Sequence, residues 1–60
     1  MKQVLGDYTA EVCRDDRGRI VVEVWHNASG KTLAVTEVDK LADAMPWARR
    51  AIEQATGVSQ

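Results

Sequence analysis

The chain lacks the cross-links that most often stabilise very small proteins. It has 60 residues with one cysteine and one histidine. Cys13 alone cannot form an internal disulfide, which leaves only an intermolecular one open. Cys13 and His26 are too few soft ligands for a structural zinc site. Because a chain of this length buries only about 60% of its unfolded surface, we expect oligomerisation to supply the missing stability.

Excess charge and long apolar runs are also absent. The formal net charge is −1, from 8 basic and 9 acidic residues, so the sequence gives no electrostatic footprint for nucleic acid. No run approaches about 18 apolar residues, and no signal-peptide segment follows Met1. A single unpaired cysteine is typical of a reducing compartment. We therefore expect a cytoplasmic protein that contacts neither membrane nor nucleic acid directly.

Motifs of reaction chemistry are missing as well. His26 is predicted to be a surface residue at a strand end, and no serine or cysteine has an obvious base partner. The chain has no glycine-rich phosphate loop and no metal-spaced cluster. Glu11 and Glu23 are predicted to face each other, as in an acid–base pair, but a flat sheet gives them no cleft. We predict no enzymatic activity, no catalytic or metal-binding residues and no cofactor.

Two turns of the same chemistry divide the first two-thirds of the chain. Asp15 and Asn27 begin them with side chains that can bond their own backbone, and Gly18 and Gly30 end them. A closing glycine takes the positive φ that a three-residue hairpin loop with a bulge requires. The runs between the turns are rich in β-branched and aromatic residues, which predicts strands over 8–14, 19–26 and 31–38. Residues 1–6 and 59–60 are predicted to fray.

The predicted register gives the sheet two different faces. Three-residue loops pair Asp15 with Arg19 and Asn27 with Lys31. One face is then a core of Tyr8, Ala10, Val12, Ile20, Val22, Val24, Ala34, Thr36 and Val38. The opposite face pairs Cys13 with Val21, Glu11 with Glu23 and Trp25 with Leu33, and Val35 lies alongside. Cys13 is expected to pack there as a small hydrophobe.

One helix follows the third strand. An apolar arc at helical spacing consists of Leu41, Ala44, Met45, Ala48, Ala51, Ile52 and Ala55. Asp39 is the predicted N-cap and Gly57 the predicted C-terminal glycine. Pro46 either kinks this helix, which we favour, or begins it after a separate turn over 41–45. Trp47 lies off the arc and either covers the core edge or anchors a partner.

These elements predict an α+β fold: one domain over 1–60, a three-stranded antiparallel meander followed by one C-terminal helix (β-β-β-α), forming a dimer. One helix cannot cover both faces of the sheet, so the second face is a dimer or partner surface, or else an apolar solvent-facing surface. The predicted partner-binding residues are Trp25, Leu33, Val35, Val21, Glu11, Glu23 and Trp47.

The segment 34–52 resembles the end of the N-terminal domain of HicB-family antitoxins. That family ends its last strand in Val-Thr, here Val35-Thr36, and its helix carries an Ala-Arg-x-Ala-Ile pattern, here at 48–52. Asp39, Leu41, Ala44 and Met45 also match, and the 15–18 turn fits the family's first hairpin. The family's Pro-x-x-Pro-Gly loop is replaced by the turn at 27–30, and Pro46 is atypical. A C-terminal DNA-binding domain, usual in the family, does not follow, so operator binding is not expected.

The resemblance implies an oligomeric module that sequesters a small basic RNA-cleaving toxin of the HicA type. Two alternatives stay open. One is a homo-oligomeric structural or regulatory module, such as a phage-encoded one, that has no toxin partner. The other, disfavoured by the net charge, is a nucleic-acid-binding domain that contacts phosphates through Arg14, Arg17, Arg19 and Lys31 at its turns.

Overall fold

Four antiparallel strands and one helix form the fold in a computed structural model, which describes residues 1–57. The strands pair in chain order: β1 (Lys2–Leu5), β2 (Tyr8–Arg14), β3 (Ile20–His26) and β4 (Thr32–Val38). A 3₁₀ turn (Leu41–Asp43) and helix α1 (Ala44–Thr56) follow. The α+β class and the C-terminal helix are confirmed, but the sheet has four strands rather than three. The fraying predicted for 59–60 lies outside the described residues.

Strand β1 corrects the prediction that residues 1–6 fray. Leu5 pairs with Tyr8, so Gly6 and Asp7 form a two-residue hairpin loop. Gly6 has a φ of 66°, and glycine first in a two-residue loop is typical of a type II′ turn. The pairing extends to Met1, whose carbonyl accepts a hydrogen bond of 2.7 Å from the Val12 N–H.

The first predicted turn forms as expected. The Asp15 carboxylate accepts hydrogen bonds from the N–H groups of Arg17, at 2.9 Å, and Arg19, at 2.8 Å. Gly18 has a φ of 79° and closes the loop. The register of β2 against β3 follows the prediction throughout, with Val12 opposite Val22 and Ala10 opposite Val24. A strong Asx turn therefore fixes this hairpin.

The second turn differs from the prediction by one residue. The His26 N–H donates to the Lys31 carbonyl at 2.9 Å, so the loop has four residues rather than three. A bulge between β3 and β4 then restores the predicted register, because Trp25 pairs with Thr32 while Val24 pairs with Ala34. Leu33 is the extra residue. The predicted Trp25–Leu33 pair is wrong, and Leu33 packs against the core on the helix side.

The Asn27 side chain joins two loops instead of bonding its own turn. Its Nδ2 donates to the Gly6 carbonyl at 3.2 Å, and its Oδ1 accepts a hydrogen bond from the Thr9 hydroxyl. The Asn27 N–H also donates to the Asp7 carbonyl at 2.9 Å. These bonds hold the β1–β2 loop against the β3–β4 loop.

The core lies between the sheet and α1. Ala44 and Ala48 of the helix are fully buried, which lets α1 approach the sheet closely. The buried apolar residues of the sheet all belong to the predicted core face: Ala10, Val12, Ile20, Val22 and Val24. None is larger than isoleucine, so the fully buried apolar volume is small, and we expect one copy of the chain to be marginally stable.

The start of the helix differs from the prediction in three ways. Pro46 lies neither in the helix interior nor at the first helical position: a 3₁₀ turn precedes α1, and Pro46 is the third residue of α1. The missing N–H costs little there, because the first-turn N–H groups lack intrahelical partners. Asp39 is not the N-cap, and Leu41 is 56% exposed rather than part of the arc. Gly57, with a φ of 75°, ends the helix as predicted.

We expect Asn27→Ala to lower the free energy of unfolding by about 1–2 kcal/mol, because the buried Thr9 hydroxyl loses its acceptor. Urea denaturation followed by circular dichroism measures the change. Asn27→Asp is the matched control, since it keeps an acceptor for Thr9 and loses only the bond to Gly6. An alanine variant as stable as the parent would contradict a joining role for Asn27.

Candidate functional site

The sheet face opposite α1, called the open face below, is covered by no other element among residues 1–57. Side chains alternate between faces along each strand, so the register assigns the members of this face. They are Lys2, Val4, Thr9, Glu11, Cys13, Val21, Glu23, Trp25, Thr32, Val35 and Glu37. Apolar and acidic side chains dominate the set.

Trp25 is the largest apolar side chain of the open face. It lies in a row across the four strands with Val4, Thr9 and Thr32. The indole is half-buried, and the Lys2 ammonium lies 5.8 Å from its ring centroid, within range of a cation–π interaction. Thr9, between Val4 and Trp25, is 6% exposed. A cation therefore already contacts the aromatic centre of this face.

Carboxylates form the neighbouring row. Glu11 and Glu23 face each other as predicted, with Lys2 beside Glu11 and Val35 beside Glu23. The Thr32 hydroxyl donates to Glu23 Oε2 at 3.2 Å. Directly opposed like charges on a sheet are unfavourable, and no arginine or lysine forms a salt bridge with either carboxylate within residues 1–57.

Glu37 adds a third carboxylate near the end of β4. Its Oε1 lies 3.3 Å from Arg19 Nη1, in an exposed salt bridge. The open face itself thus carries three glutamates and one lysine. Its local charge is acidic although the chain as a whole is nearly neutral.

The structure brings five of the seven predicted partner-binding residues together: Val21, Trp25, Val35, Glu11 and Glu23. Val35 is 57% exposed, and the other four are half-buried. Leu33 is not on this face, because the bulge turns it toward α1. Cys13 is on this face but exposed, so the expectation that it packs within the sheet is wrong.

Trp47 lies on the helix side, half-buried against the core. Together with Leu33 it lines an open groove between β4 and α1, called the β4 groove below. The remaining lining residues are Ala34, Arg50, Ala51, Gln54 and Ala55. Sequence reasoning missed this groove, because it depends on the bulge that moves Leu33.

Sequence reasoning also missed a contact between His26 and Ser29. His26 Nδ1 lies 3.0 Å from Ser29 Oγ, which also accepts a 3.3 Å hydrogen bond from the Lys31 N–H. Because the serine oxygen bonds at both ends of the loop, the contact closes the β3–β4 turn.

Residues 1–57 contain no group of three or more histidine, cysteine, aspartate or glutamate side chains placed to hold a metal ion. Within the same residues, no helix has the length and apolarity needed to span a bilayer. Comparisons of the chain with protein-family models, curated proteins and solved structures give no match.

We expect Trp25→Ala to stay folded and to lose about 1 kcal/mol of unfolding free energy, because the indole covers the open face rather than filling the core. Val24→Ala, at the fully buried neighbouring position, should cost about 2–3 kcal/mol. Urea denaturation compares the two variants. A larger loss for Trp25→Ala than for Val24→Ala would contradict the assignment of the faces.

Proposed function

We propose that this chain is a non-enzymatic binding module of the antitoxin type, which holds a small basic protein on its open face. The resemblance to HicB antitoxins suggests that the partner is an RNA-cleaving toxin. The observation that carries the proposal is a sheet face that no element of residues 1–57 covers, on which a tryptophan is bordered by opposed carboxylates.

The apolar part of this face supports a protein partner. Val4 is 67% exposed and shares a row with half-exposed Trp25, while Val35, 57% exposed, and half-exposed Val21 lie on the other side of Trp25's row, beside and beyond the carboxylates. Exposed apolar surface that includes an aromatic side chain is typical of a protein–protein interface. Covering it would release water from apolar surface and contribute most of the binding free energy.

The charges of this face support a basic partner. Glu11 and Glu23 repel each other in the free protein, and an arginine or lysine placed between them would remove that repulsion. Complementary charge also raises the association rate. A surface that binds RNA is itself basic, so three carboxylates on one face could compete with RNA phosphates for the same cationic groups.

Charge neutralisation tests the proposal with the protein encoded by the adjacent reading frame. Both proteins are produced together, and Kd is measured for the parent and for the double variant Glu11→Gln/Glu23→Gln. We expect binding about tenfold weaker, mainly through a slower association rate, with a flatter dependence on salt. Trp25→Ala should weaken binding further through a faster dissociation rate.

Glu53→Gln is the matched control, because Glu53 is an exposed carboxylate on α1, the element that packs on the other side of the sheet. It should bind like the parent protein. The proposal fails if the adjacent reading frame encodes no small basic protein, or if that protein does not co-purify. It fails equally if the double variant and the control bind with the same affinity, or if the bound partner still cleaves RNA at the rate of the free partner.

A further inference from the structure

The outer edge of β4 presents unpaired backbone groups. Met1 and Val12 exchange two hydrogen bonds, at 2.7 and 2.9 Å, so the backbone groups of Val12 point toward β1. Hydrogen-bonded and non-hydrogen-bonded pairs alternate in an antiparallel ladder. The groups of Val22, opposite Val12, therefore point toward β4 and bond Thr36. On either side of Thr36, the N–H and C=O groups of Val35 and Glu37 point outward.

No described strand pairs with this edge, and the edge carries few of the features that protect natural sheets. Strand β4 has seven residues with one charge, on Glu37, and without lysine or proline, and its bulge, at Leu33, lies at the turn end of the strand. The opposite edge strand, β1, has four residues and includes Lys2. Long edges with little charge invite pairing with another strand, whereas short or lysine-bearing edges resist it.

We infer that a second copy of this chain pairs with the β4 edge, with the two β4 strands antiparallel and a two-fold axis between their Val35 residues. In such a pair, residues whose N–H and C=O groups point outward must lie opposite each other. Val35 is the middle residue of β4, so a two-fold axis at Val35 lets the two strands overlap along their whole length. The result is one continuous eight-stranded sheet.

In a dimer of this symmetry, the β4 grooves of the two copies face each other and are closed together. A two-fold axis perpendicular to the sheet puts both helices on one side, and each α1 packs most closely against its own β3. With strands about 4.8 Å apart, the two β3 strands lie about 14 Å apart, wider than the 8–10 Å of direct helix packing. The side chains that line this gap are large: Trp47, Arg50 and Gln54 of each copy.

A second copy fits this edge better than an unrelated strand. The small core leaves one copy marginally stable, and burying both grooves together adds apolar contact at Leu33 and Trp47. Self-pairing also leaves both open faces free, so the inference does not rest on the proposed partner.

Charge exchange at Val35 tests both the edge and the register. Because its side chain is 57% exposed, the changes do not touch the core. Sedimentation should show that the parent protein is a dimer. Val35→Glu alone and Val35→Lys alone should each raise the dimer dissociation constant on the order of tenfold, because like charges meet across the two-fold axis. An equimolar mixture should recover the dimer through opposite charges. All measurements use this chain alone, so the result is separate from partner binding.

Val4→Glu and Val4→Lys on β1 are the matched controls and should remain dimers. Val35→Pro removes an outward-pointing N–H but no hydrogen bond between β4 and β3, so it should also weaken the dimer. Val4→Pro should leave the dimer intact. A monomeric parent protein overturns the inference and leaves the edge to a strand of another protein. The inference is also wrong if the Val4 variants break the dimer and the Val35 variants do not. It is equally wrong if the mixture of Val35→Glu and Val35→Lys stays monomeric.

Discussion

A single helix packs against a four-stranded sheet and can bury only one of its faces, and the rest of the structure depends on this constraint. Helix α1 buries only Ala44 and Ala48 fully, against five small apolar residues of the sheet. The close approach that alanine permits makes the contact tight but limits the apolar volume it buries. Within residues 1–57, one sheet face and both sheet edges are left without cover. The open face and the longer β4 edge are the surfaces at which we propose that the chain gains binding free energy.

Local chemistry explains which elements could be predicted. The Asp15 turn is specified by hydrogen bonds within five residues, so the β2–β3 register and the core face followed from the sequence. The apolar spacing and Gly57 likewise predicted α1 and its end. Strand β1 was missed because its four residues are exposed or half-exposed and show no clear alternation. The Gly6-Asp7 pair was the available signal for that hairpin.

Long-range contacts explain the remaining errors. Asn27 has the chemistry to bond its own turn, but its side chain bonds Gly6 and Thr9, residues distant in sequence. The loop then has four residues, and the bulge that restores the register moves Leu33 to the helix side. Five of seven candidate site residues therefore share the open face, whereas Leu33 and Trp47 define a groove that no local pattern predicts.

The opposed carboxylates are difficult to explain if the open face has only a structural role. Glu11 and Glu23 occupy central strands, where paired β-branched or oppositely charged residues would stabilise the sheet more. Lys2 lies in the same row, yet its ammonium is placed over Trp25 rather than in a salt bridge with either carboxylate. A local conflict of this kind lowers the stability of the free chain, and natural sequences concentrate such conflicts at functional sites. Relief of the repulsion by a bound cation would convert that lost stability into affinity for a basic partner.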